Sequence, residues 1–367
     1  MHRRALVAVT LGTLLAFAPM AAQARQLGKL GGALKKAQQL KDIEMTEAEE
    51  AQLGSQVSQK VRARYGVVQD AAVHKYVTLV GTALTQVSTR PNIKWQFIVL
   101  DTDAVNAFAA PGGFVHITKG ALANLKTESE LAGVLGHEII HVTEKHTIRA
   151  IQKGKLVQMG ADEKMSGALM NKLADKAYEV IDSGFGRGDE LEADEKGIVL
   201  ANTVGWAPTG MNGFLNMLIA RNKAAGNTDR SGLFASHPET QERMDKMTKQ
   251  IASAKLTSTA TNGERYASSI SYKPVPITEV ASIEAGSAGA AGATKPVEEP
   301  KKKGLGGLGA ALKPSGGEKK SAQVTGSGAA RGAGQESNAK GGSNPSLVTV
   351  TVSAADVTAF KKAGGLK

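Results

Sequence analysis

A mainly helical α+β domain, with a small β-sheet beside one central helix, is what the sequence predicts. Three observations carry that expectation. Apolar residues recur at helical spacing in several long segments, one short segment alternates in the manner of a strand, and the stretch Leu131–Thr147, LAGVLGHEIIHVTEKHT, sets two histidines four apart inside such a periodic run.

The chain opens with MHRRALVAVTLGTLLAFAPMAAQA, a basic start, an apolar run from Ala5 to Ala18 and a small-residue A-Q-A site ending at Ala24. This is the pattern of a secretory signal peptide, residues 1–24, and the run is shorter than the roughly 20 residues of a spanning helix. Cleavage after about Ala24 would deliver the product to the periplasm or beyond. No cysteine occurs, so neither a lipidation site nor a disulfide is available. Residues 25–44, rich in Gly, Leu and Lys, read as an amphipathic or disordered arm.

The folded domain is expected over residues 45–280. Its first helix, Met45–Arg64, begins at Thr46 with Glu49 in the capping-box position, and its second, Asp70–Val87, carries Val73, Val77, Val80, Leu84 and Val87 in helical register. After Pro91, the alternation of Ile93, Trp95, Phe97 and Val99 predicts a strand whose intervening residues face outward. Asn106–Thr118 then gives a short segment, a Pro-Gly-Gly turn and a second strand at Phe114–Ile117. An extended peptide can pair with a strand edge irrespective of its side chains, so Asn106, Ala107, Phe108 and Ala109 are candidate substrate-binding residues; an ordinary hairpin is the alternative.

Thr127 and Glu130 form a capping box ahead of the central helix, whose Leu131, Val134, Leu135, Ile139, Ile140 and Val142 are apolar. Within it His137, Glu138 and His141 make an H-E-x-x-H motif. Residues four apart share a helix face, so two imidazoles can hold one metal ion while Glu138 reaches an attacking water. The second stretch of chemical interest is Arg187–Gly197, RGDELEADEKG. Glu190 can be a third ligand, and Asp194, one turn on, can accept a hydrogen bond from the far nitrogen of a ligating His. A metzincin would need Gly and His where this chain has Glu144 and Thr147, and His146 is out of that register.

His146 to Gly184 reads as a mostly helical insertion containing Met159, Met165, Met170, Leu173 and Tyr178, more a core pattern than an adaptable binding surface. A helix from Trp206 to about Arg221 and another opened by Ser236-His237-Pro238 and running towards Ala254 complete the helical set. Arg265–Glu279 is expected to form one or two closing strands. Residues 281–345 read as a Gly-rich disordered linker, with fifteen Gly and no aromatic residue between Glu284 and Ser343. Residues 346–367 form a short segment without assigned role, strand-like at Leu347–Val352 and helical at Val357–Lys362.

Taken together, H-E-I-I-H, R-G-D-E-L-E-A-D and S-H-P-E-T-Q-E-R (Ser236–Arg243) resemble the zinc peptidases related to CAAX prenyl proteases, in particular their bacterial periplasmic branch, over about Met45–Pro276. The resemblance implies a gluzincin-type fold, one zinc ion per chain held by His137, His141 and Glu190, and Glu138 as general base. His237 is implied to lie near the metal, as an oxyanion donor or as a further ligand that closes the site. Asp194, Arg187 and Arg243 are expected to brace these residues. The same resemblance implies endopeptidase action on extended or misfolded cell-envelope polypeptides, in protein quality control. A zinc-containing, chaperone-like binding protein with a latent site closed by His237 is the alternative.

The formal charge of +11 does not point to nucleic acid. Two Arg leave with the signal segment, and from Glu284 onward twelve Lys and Arg face six Asp and Glu, so most of the excess lies outside the domain. That basic tail suits peripheral contact with anionic membrane or cell wall.

Overall fold

The computed structural model describes residues 45–153, 167–224, 226, 237, 240–280, 282–283, 324–325 and 344–367. The signal segment, the arm at 25–44, Met159, Met165 and nearly all of the Gly-rich stretch lie outside the described residues; within that stretch, only a two-residue ladder joins Ser282–Ile283 to Val324–Thr325.

Helix α1 (Glu47–Tyr65) starts at the expected capping box, with both reciprocal Thr46–Glu49 bonds made, and helix α2 (Ala71–Thr85) starts where the Asp70 side chain accepts from the amides of Ala72 and Val73. Three strands follow: β1 (Gln96–Leu100), β2 (Ala107–Ala110) and β3 (Phe114–Thr118). They form one sheet in the order β1-β3-β2, with β1 parallel and β2 antiparallel to β3, so β2 is an edge strand. The Pro111–Gly113 turn joins β2 to β3 with Gly112 at φ 72°, a left-handed conformation open to glycine.

Both faces of the sheet are covered, which corrects the expectation of outward residues in β1. Phe97 and Val99 enter one core with α2, while Ile98 and Leu100 enter a second core with α1. A strand buried on both sides has no polar face, hence its continuous apolar run.

A short helix α3 (Lys119–Asn124) leads into the central helix α4 (Glu128–Thr143). Thr127 caps α4 by accepting from the amide of Glu130, but the Glu130 carboxylate takes the amide of Lys126, so the box does not close on Thr127. Next come α5 (His146–Lys153), α6 (Gly167–Ser183), α7 (Arg187–Val204), α8 (Gly210–Ala224), α9 (Thr240–Ser253) and α10 (Gly263–Ser269). Met170 and Leu173 of α6 are core residues.

Helices α4 and α7 touch backbone to backbone. A Cβ on Gly197 would lie 2.9 Å from the His137 nitrogen, and one on Gly136 would lie 3.0 Å from the Gly197 carbonyl oxygen. Because two glycines meet at the crossing, the helices approach closely enough for short acidic side chains on α7 to reach the imidazoles on α4.

Two expected strands are absent. Arg265–Glu279 contains α10 and a single turn at Ile277–Glu279; within α10 the Tyr266 hydroxyl donates to the Leu122 carbonyl and Arg265 pairs with Glu128. Leu347–Val352 has no ladder partner among the described residues; the preceding Asn344–Ser346 instead gives its carbonyls to Val67, Arg62 and Gln69. Helix α11 (Ala354–Ala363) then packs on α2, burying Val357 and Phe360, and the Lys367 amide reaches the Val204 carbonyl. Among the described residues no helix is long and apolar enough to cross a membrane.

Candidate metal centre

The four-residue spacing on α4 points the Nε2 atoms of His137 and His141 at one place, 3.0 Å apart. Helix α7 runs antiparallel, so its own four-residue spacing matches theirs: Glu190 comes level with His141 and Asp194 with His137. The Glu190 oxygens lie 3.5 Å from each histidine Nε2. Asp194 Oδ1 accepts from His137 Nδ1 at 2.9 Å, behind the ring. Just ahead of α9, His237 brings Nδ1 to 3.3 Å from His137 Nε2 and 2.8 Å from Glu190, and its Nε2 to 3.6 Å from Glu138.

The donors fit a single ion. Bonds of about 2.0–2.1 Å arranged tetrahedrally place neighbouring ligand atoms about 3.3 Å apart. One ligand atom from each of His137, His141, Glu190 and His237 lies within 4.8 Å of all the others, and the four residues are buried. Two neutral imidazole nitrogens and a carboxylate are also the donor chemistry that zinc takes. Glu138 is fully enclosed, and its Oε2 has no hydrogen-bond partner, which in a buried carboxylate marks a group waiting for a proton donor.

Electrostatics divide the acids. Burial raises the Glu138 carboxyl above its ordinary value despite the pull of His237 and His137. For Glu190 burial works upward too, but His237 and His137 outweigh it and hold the carboxyl well below the usual range. Asp194 is likewise lowered, burial being overcome by Arg243. Arg243 grips Asp194 through two bonds of 2.7 Å, lies 3.1 Å from Glu190 and donates to the His237 carbonyl. The Arg243 guanidinium thus faces two ionised carboxylates in a water-poor site. His137, penalised by burial but favoured by Asp194 and Glu190, is raised to about 9 in the metal-free chain, whereas burial and the neighbouring His137 push His141 well down.

Other sequence-selected residues fall elsewhere. Arg187, expected to brace the site, begins α7 on its exposed side and pairs with Glu242, because the first residue of that helix projects away from α4. Asn106, Ala107, Phe108 and Ala109 are buried, the last three lying in the edge strand β2, which packs against α4; the Asn106 side-chain oxygen accepts from the Ala107 amide. Phe185 was not singled out by the sequence, yet its ring stacks on His141 with centroids 4.0 Å apart. An aromatic residue just ahead of the acidic helix was the only local signal.

Residues 71–251 match the family model described as peptidase family M48. The chain is 27% identical over 210 residues to the beta-barrel assembly-enhancing protease of Yersinia pestis, a match covering 53% of this chain and 42% of that protein. It is 27% identical over 216 residues to the mitochondrial metalloendopeptidase OMA1 of Schizosaccharomyces pombe, covering 56% and 62% respectively. With the metalloprotease YcaL of Escherichia coli it shares 30% identity over 160 residues, covering 42% and 61%. The chain therefore spans less than half the length of the assembly-enhancing proteases that it matches.

Proposed function

We propose, from the premise that this chain carries a metallopeptidase domain of family M48 and gluzincin type, that it is a zinc-dependent endopeptidase of the cell envelope acting on extended or misfolded polypeptides. The convergence of His137, His141 and Glu190, with the unsatisfied Glu138 oxygen beside them, carries the reading. An ion held by those three side chains would supply Lewis acidity, polarising the scissile carbonyl and acidifying the attacking water. Glu138 takes the water proton and delivers it to the leaving nitrogen, a role suited to a carboxyl already raised by burial. His237, with Nε2 turned toward Glu138, is placed to donate to the developing oxyanion. Among the described residues β2 is an edge strand, and its backbone at Asn106–Ala109 is our candidate partner for an extended substrate.

Export rests on the signal pattern at 1–24, and the envelope substrate class on the names of the relatives. The decisive experiment is zinc analysis and casein hydrolysis on the mature protein beside Glu138→Gln. The variant should keep one zinc per chain and lose hydrolysis by about 10²–10⁴-fold. Equal cleavage by both forms would remove Glu138 from the mechanism.

A second reading has its own observation. His237 Nδ1 sits among the other donors, close enough to complete a four-residue shell and shut out water. In that state the chain binds polypeptides and does not cut them, and His237→Ala would raise hydrolysis above the parent.

A further inference from the structure

The two histidines of the centre are supported differently. His137 has Asp194 behind it, but His141 Nδ1 faces another imidazole: His146 Nδ1, at 2.7 Å. On an unbroken helix a residue five places on would sit about 140° round from His141. Here α4 stops at Glu144, Lys145 takes φ 55°, unusual for a residue with a side chain, and the chain turns His146 back under His141. Behind His146, Nε2 lies 3.2 Å from Glu192 and 3.9 Å from Asp189. Arg149 bonds both carboxylates at 2.9 and 3.0 Å, and Lys196 bonds Glu192 at 2.8 Å. His146, Asp189 and Glu192 form a donor cluster of their own, but Arg149 and Lys196 already neutralise its acids, so its office is orientation and not a second ion.

Proton bookkeeping singles out one arrangement. A carboxylate at Nε2 requires His146 to carry its proton there, which leaves Nδ1 as a lone pair. His141 must then donate from its own Nδ1, and its Nε2 is left bare, facing His137 and Glu190. The opposite tautomer would put a proton on His141 Nε2 and block it as a ligand.

We infer that His146, held by Glu192, is a positioning residue that fixes the tautomer and ring orientation of His141 and so sets the metal affinity of the centre. The inference rests on the metallopeptidase reading above. Phe185, stacked on the His141 ring, controls its plane, while His146 controls its protonated edge.

The test compares the parent with His146→Phe, His146→Asn and Glu192→Gln by chelator competition for zinc, by the visible spectrum of the cobalt-substituted protein and by urea unfolding of the metal-free forms. His146→Phe keeps a ring but no acceptor and should bind zinc about 10–100-fold more weakly, with a shifted cobalt spectrum. His146→Asn, whose amide oxygen can take the place of Nδ1, should recover most of the loss. Unfolding of the metal-free variants separates this effect from a general loss of structure. If His146→Phe does not fold, Glu192→Gln decides, with weakened zinc binding expected. Parent-like affinity and spectrum in the folded variants overturn the assignment while leaving the peptidase reading intact. A parent that binds no zinc sinks both.

Discussion

Phe360 sits 9% exposed near the end of the chain, yet it belongs to a network at the start of the central helix α4. Its ring lies under the Arg265 guanidinium at 4.0 Å and meets Tyr76 edge-on at 6.1 Å, and its carbonyl accepts from Arg265 Nη1 at 2.7 Å. Arg265 pairs with Glu128, the fully buried first residue of α4, which also accepts from Tyr76, Trp206 and Asn262. Phe360→Ala should therefore remove a buried aromatic side chain, about 3–5 kcal/mol at full burial, and a cation–π contact of about 0.5–2 kcal/mol, while leaving the Arg265–Glu128 pair. Partial exposure and inward relaxation bring the expected loss to about 3 kcal/mol. In a domain of this size that lowers the midpoint of thermal unfolding by about 6–12 °C. Urea unfolding of the metal-free protein is the assay, with a chain ending at Ser343 as the extreme case. A change within about 0.5 kcal/mol in Phe360→Ala, the scatter of surface substitutions, would show that the terminal helix does not brace the domain.

Gly197→Ala places a methyl group 2.9 Å from the His137 backbone, so the α4–α7 crossing must open; a loss of about 1–3 kcal/mol in stability and weaker zinc binding are expected, read by unfolding and chelator competition. Arg243→Leu takes a guanidinium away from two buried carboxylates, Asp194 and Glu190, that His137 alone cannot balance. The metal-free form should lose about 3–5 kcal/mol, with part of the deficit recovered when zinc is added, and equal losses with and without zinc would refute the charge argument. His116, enclosed against Ser58, is pushed by burial down to about 3. The unfolded chain takes up its proton near pH 6.5, so this residue's contribution is present above that pH and is lost as pH falls towards 3, by up to about 1.4 kcal/mol per unit. His116→Gln should flatten that acid limb in unfolding measurements between pH 6.5 and 4.

The centre was legible wherever chemistry and spacing were local. His137 and His141 share a face because they are four apart on one helix, and Glu190 and Asp194 repeat the interval on another. Arg243 and Arg187 both read as braces for the acids, and Arg243 does meet Asp194 and Glu190. Arg187 does not: its place at the first turn of α7 set its direction, and sequence proximity to Glu190 gave no hint of it. The strand expected at Arg265–Glu279 failed for a related reason. Its pattern is compatible with either period, and the polar partners of α10, Glu128 and Leu122, lie more than a hundred residues earlier. Glu128 itself looks in the sequence like a solvated acid at a helix start. Only partners brought by folding make it a buried anchor.

His146 shows what a spacing argument loses when a helix ends. Counted along a continuous helix, it faces away from the metal, and the sequence leaves it either supporting a ligand or merely structural. The break at Lys145 changes its direction without changing its number, and places it where a carboxylate serves the other histidine. The asymmetry follows from the antiparallel crossing. Asp194 stands behind His137 and Glu190 faces the Nε2 side of His141, so neither carboxylate meets His141 Nδ1, and Glu192 bonds His146 in place of that ring. An imidazole between them spans the gap, carrying the proton preference of Glu192 to His141 across two hydrogen bonds.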